Sequence, residues 1–465
     1  MRVRSSILSL GLLTAAGMIA AADEPVAPKR TVTTAKVGTI DFANWIKKSF
    51  RVSPDGRHYL YAAKSGEKFV VAVDGKAGEV YDNLGWPVFG PDGTRWAHSA
   101  MQGGKALAVI DGKAGPLYDG IAKGSPLFSP DGRRVAYGAR TGERWRVVVD
   151  GVEGPLFDGL MAGTPVFSPD GKRVAYGAVL DKKWHVVVDT TRGPAFNGIL
   201  KRTPVFSPDS KRVAYGGRTE SGWAVVVDGK AGPLYPAISD VLFSPDGKTL
   251  AHFALKPKQA SMVVNGKVGK SFERIGRGTA KFSPDGGRLA FVAGSKGKWQ
   301  VVINDDAFGP YDDVLRSSPV FSPDGARAAL GVKKDDKWRL VLDGVEGEPV
   351  DAFAPGLAIF SADGKRVMHA FRTGKKWNVA VDGKAFGPYD SVGTGSMCFS
   401  PDGAHTAWSI TVGGKWYSVV DGHPGKNLGT IVGIGGGRLQ FSGPDTLEYL
   451  VVIGNVVHLV TEKIE

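Results

Sequence analysis

Eight histidines are the first residues to weigh for chemistry, because imidazole ligates metals and moves protons near neutral pH. His98, His252, His369 and His405 recur at similar places along the chain, but no two histidines stand two or four residues apart. A metal site would therefore need the fold to gather distant ones. A second candidate is an array of aspartates, among them Asp55, Asp92, Asp131 and Asp170, each inside a Pro-Asp-Gly-like turn. Aspartate in such a turn caps its own backbone, and calcium would need these oxygens to converge. A serine hydrolase would need Gly-x-Ser-x-Gly, which does not occur. The "GKS" at 269–271 lacks the first glycine of a phosphate loop and falls between strands, the wrong context. No catalytic residue, metal ligand or cofactor is assigned from the sequence, and the chain reads as a non-enzyme.

Basic residues form the pattern that survives. Lys68, Arg144, Lys183, Lys298, Lys337, Lys376 and Lys415 each precede a recurring aromatic. The loops just before them add further lysines and arginines. A ring of such charge would concentrate anionic partners on one face, a protein or an anionic envelope polymer. The same residues would also serve to keep a surface soluble. Nucleic acid is the weaker expectation, since no interleaved aromatics offer base stacking.

The element that must position these residues is a repeat. Val52, Phe89, Phe128, Phe167, Phe206, Phe243, Phe282, Phe321, Phe360, Phe399 and Phe441 mark eleven units with a period of about 39. Each unit resolves into four short strands. "SPDG" at 129–132 makes the first tight turn, with Pro setting φ and Gly taking the left-handed position. "RRVAYGA" is the second strand, "WRVVVD" the third and "GPLF" the fourth. Strands apolar on both faces must be covered on both. A sheet with two such faces is covered by stacking copies radially, which is a β-propeller. The recurring Trp145, Trp184, Trp223, Trp299, Trp338, Trp377 and Trp416 then read as packing between blades.

The ends complement each other. After Phe441 only three strands remain, and residues 37–42 look like the missing fourth. The N-terminal strand is therefore expected to complete a closing blade. Eleven blades would leave a wide channel in one ring. Two tandem rings of five plus six blades are the favoured alternative, with a break near 232–243, where the connection is short and carries Pro236.

Residues 1–22 read as a signal peptide: Arg2 and Arg4, an apolar stretch, then three alanines before Asp23. Residues 23–36 read as a linker and 37–465 as propeller repeats. The single cysteine, Cys398, permits no internal disulfide. The net charge of +13 bears on partners and not on fold. A periplasmic or extracellular bacterial location follows from the leader.

"FSPDGKRVAY" at 167–176 resembles the WD40-like propeller repeat of the TolB type. The resemblance covers nearly the whole of 37–465 but the propeller alone, because only 23–36 precede the blades where TolB carries an α/β domain. It implies a propeller and leaves the role open, since the family hosts many. Some propeller lyases of the family use histidine-bound metal. The sequence reading is thus an exported non-catalytic binding scaffold, with a metal-dependent lyase or glycan-active propeller enzyme as the alternative.

Overall fold

A computed structural model describes residues 27–431 and 439–465. The expected leader lies outside them. Among the described residues no helix is long and apolar enough to cross a membrane. Eleven antiparallel sheets follow one another along the chain. We number the blades by chain order, blade 1 at 51–81, blade 3 at 120–153 and blade 11 at 430–464.

Blade 3 shows the local logic. Val135–Thr141 pairs with Arg144–Val149 across a two-residue turn whose Gly142 has φ +59°. Ala136, Tyr137 and Ala139 are buried on both faces of that strand. The fourth strand is Val152–Glu153, continued by a bridge between Trp145 and Phe157. The first strand is split. Gly120–Ile121 and Leu127–Phe128 both pair with the second strand, and 122–126 bulge out between them. Most blades repeat this split, so the strand read as one in the sequence is two short pieces around a five-residue inner loop.

Blades pack through shared cores. One cluster joins Val147 of blade 3 to Tyr176 and Val187 of blade 4. Val205–Phe206 of blade 5 touches Ala237–Phe243 of blade 6, so the first strands converge toward the axis. The fourth strands lie outside, with Lys76 to Val80 exposed throughout.

The molecule is one ring of eleven blades. Lys230–Tyr235 stays in its own blade, paired with Trp223–Val227. Ala214 and Val225 of blade 5 share a core with Ile238 and Val241 of blade 6. The break expected at 232–243 does not form, and two tandem rings are excluded. The short connection has a different cause: Ala237–Phe243 is a continuous strand, so blade 6 omits the inner loop. Blade 2 shortens its inner loop to Gly85, Trp86 and Pro87 for the same saving.

Closure uses the N-terminal strand, as the sequence implied. It begins at Arg30, not Val37, so part of the predicted linker is strand. Arg30–Thr39 pairs along Val456–Ile464. Its Thr and Lys residues read as linker because this outermost strand exposes Thr31 and every residue from Thr33 to Lys36. Gly38 is required there, since a Cβ would fall 2.1 Å from the Asp74 carbonyl oxygen. Leu450 and Val457 then share a core with Phe50 and Tyr59 of blade 1.

Candidate functional site

The seven predicted basic residues do lie at equivalent places, at or beside the start of third strands. Five meet a carboxylate fourteen positions later. Lys68 reaches Asp82 at 3.1 Å, Arg144 Asp158 at 3.5 Å, Lys337 Asp351 at 2.6 Å and Lys376 Asp390 at 2.5 Å. Lys298 pairs with Asp312. Lys183 donates to the Asn197 side-chain oxygen at 2.6 Å. Lys415 has no such partner among the described residues, because Gly429 stands where the carboxylate would be.

Each carboxylate precedes the first strand of the next blade and also accepts an N–H from that blade's own turn. Asp351 takes Lys337 of blade 8 and Gly374 N of blade 9 at 2.6 Å. The Lys337 ammonium, then this N–H, hold Asp351 below the ordinary carboxylate range. The basic ring is thus largely a set of clasps between blades. Exposed pairs of this kind contribute little energy each, but they set a carboxylate against five of the seven ring positions.

A second clasp was not anticipated. Arg134 donates to Asp150 of its own blade at 2.7 Å. Its guanidinium lies 5.6 Å from the Phe167 ring centre of blade 4 and donates to the Gly171 and Lys172 carbonyls. Arg95, Arg173, Arg327 and Arg366 do the same in their blades. The signal was an arginine recurring just before the second strand. A planar fork that stacks and donates along several directions suits this role where lysine does not.

The turn aspartates are structural. Ser129 Oγ donates to Asp131 at 2.5 Å and accepts Arg134 N at 2.9 Å. The serine hydroxyl is the main cause of the lowered Asp131 pKa. The "GKS" residues lie in the fourth strand of blade 6, Lys267–Phe272.

The histidines are not brought together. His98, His252 and His369 occupy equivalent second-strand positions in blades 2, 6 and 9, paired across to Val109, Val263 and Ala380. Other blades place Tyr137, Phe291 or Trp408 there. The imidazoles pack on Tyr81, Tyr235 and Phe353. Burial drives His252 and His369 down to about 4. His405 instead pairs with Asp421 at 2.6 Å. Among the described residues no three His, Cys, Asp or Glu side chains gather at metal-binding range.

The inner loops complete the site. In several, a Ser or Thr folds the loop back: Ser125 Oγ donates to the Ala122 carbonyl at 2.7 Å and the buried Thr203 to that of Leu200. Ser318 and Ser396 also accept N–H groups of Gly331 and Ser409 from the second strand. The tips of these loops vary from blade to blade, and they lie on the axial side.

No family model matches the chain, and no curated protein matches it. Solved structures do. The crystal structure of the eukaryotic initiation factor is 14% identical over 71% of this chain and 91% of that one, with TM-score 0.38. TolB from Acinetobacter baumannii is 19% identical over 54% of this chain and 62% of that one, TM-score 0.23. The β-propeller domain of the Trilobed protease from Pyrococcus furiosus is 11% identical over 66% and 96%, TM-score 0.27. These are likenesses of fold.

Proposed function

We propose that this chain is an exported, non-catalytic binding scaffold of the bacterial cell envelope, holding a protein or an anionic polymer. One observation carries the reading. The repeating polar residues are occupied in clasps between blades, while the loops that differ from blade to blade are left free on a braced ring. Variable loops on a rigid frame are the usual arrangement for recognition. Propellers also serve enzymes, so the fold alone does not choose. The metal-lyase alternative draws no support from the histidines, which are dispersed among blades.

A capture experiment tests it. The mature chain is immobilised and offered envelope extract at low and high salt. A partner retained at low salt and released at high salt supports the reading. The absence of any saturable partner counts against it. Charge-reversal of Lys337 or Lys376 is a poor control, because it would set two carboxylates against each other in the clasp; Lys337→Gln and Lys376→Gln avoid that.

A further inference from the structure

The axial wall carries charge that no clasp neutralises. Inner-loop tips hold Lys123 in blade 3, Lys201 and Arg202 in blade 5, Arg277 in blade 7 and Arg316 in blade 8. All five are exposed, and none forms a salt bridge among the described residues. This contrasts with the lysines of the clasps, which meet carboxylates at 3.1 Å or closer. One acid interrupts the arc: Asp240 of blade 6, half-buried and turned to the Gly278 N–H of blade 7 at 2.7 Å. Burial raises its pKa, which that N–H and then Arg202 and Arg277 oppose.

Blade 2 places a different residue at the same position. Trp86 is 57% exposed, an unusual state for an indole. It shares a cleft of about 390 Å³ with Lys123, between the inner strands of blades 2 and 3. An open aromatic face next to a free ammonium suits a ligand unit with one apolar face and one anionic group. A sugar ring bearing a carboxylate has both. Free guanidinium groups further along suit more carboxylates.

We propose that the channel wall from blade 2 to blade 8 binds an acidic polysaccharide. One uronate ring stacks on Trp86 with its carboxylate at Lys123. The chain continues along the arc past Lys201, Arg202, Arg277 and Arg316. Single-stranded nucleic acid fits less well, because base stacking calls for successive aromatic platforms and these tips supply one. The inference rests on the binding-scaffold reading and names its ligand and site.

Calorimetric titration decides it, with alginate as the probe. Its propylene glycol ester removes the charge, dextran removes the acid, and a thymidine oligonucleotide of equal charge tests the rival polymer. Alginate should bind, with affinity falling at least tenfold in the ester and in high salt. The variant K201Q/R202Q/R277Q/R316Q should lose at least tenfold. Trp86→Ala should lose at least fivefold, and Trp86→Phe should recover part of it. These sites are exposed tips, so unchanged far-ultraviolet dichroism and melting should show the fold retained. The clasp variant K337Q/K376Q should bind as the wild type does. Equal affinity for alginate in the wild type and both channel variants would overturn the proposal, as would equal binding of the ester or tighter binding of the oligonucleotide. If the wild type captures an envelope partner but ignores alginate, this inference falls and the scaffold reading stands.

Discussion

Arg30, near the beginning of the described chain, lies 3.0 Å from Glu462, near its end. Glu462 is 2% exposed, and its other oxygen accepts from Ser418 of blade 10 at 2.6 Å and from Tyr449. Arg30 also donates to the His423 carbonyl of blade 10 at 3.1 Å. One buried ion pair therefore ties the closing strand, the last blade and its neighbour together.

Arg30→Met leaves the Glu462 carboxylate buried without its partner. The expected loss is about 3–5 kcal/mol, since breaking one side of a buried pair strands a charge. Adding Glu462→Gln should restore part of it. Urea denaturation of the single and double variants measures both. A loss under about 1 kcal/mol in the single variant would show that the pair does not hold the closure.

Blade 7 lacks one part of the arginine clasp. Arg288 stacks over Phe321 at 4.8 Å, but Asn304 stands where other blades have aspartate, and Arg288 Nε is buried without a partner. Asn304 has φ +54°, close to the +51° of Asp150, so aspartate fits that backbone. Asn304→Asp should raise stability by about 0.5–1 kcal/mol at low salt. The same exchange should give less at high salt, and a fall in melting temperature would contradict the geometry.

His252 and His369 set an acid limit. His252 is buried and His369 mostly so; both are neutral, held down to about 4 in the fold against 6.5 ordinarily. Above pH 6.5 neither state binds the proton and the two histidines have no effect. As pH falls from 6.5 to 4, the unfolded chain gains protons that the fold does not, so stability drops by on the order of 3 kcal/mol per histidine. H252F/H369F, with the phenylalanine that blade 7 uses at this position, should flatten the dependence between pH 7.5 and 5. Parallel pH curves for variant and wild type would overturn the assignment. The turn aspartates act lower, below their ordinary 3.8, as their lowered pKa requires.

Removing residues up to Lys36 deletes most of the closing strand. Val456–Ile464 then becomes an open edge, with unpaired backbone groups along its length. The truncated chain should aggregate or oligomerise in light scattering while the full chain does not. A monomeric, equally stable truncation would mean that the ring closes without it.

Much of the fold was legible in the sequence. The 39-residue period, the Ser-Pro-Asp-Gly turns and strands apolar on both faces point to radially stacked four-stranded blades, because stacked copies cover both faces of each sheet. The same period supplied the count of eleven. The complementary ends implied the closing strand, though its start at Arg30 was hidden by the polar side chains of an outermost strand. Only the tertiary structure decided that all eleven blades share one ring. Blade-to-blade packing is local, so each repeat reads alike whether the ring closes after five, six or eleven. It also decided what the basic residues do. Lys337 faces Asp351 because Trp338 pairs with Val350 within blade 8, but only the seating of blade 9 brings the Gly374 N–H to the same carboxylate. The exposed tips at Trp86, Lys123 and Arg277 looked like irregular connection until the split first strand turned them toward the axis.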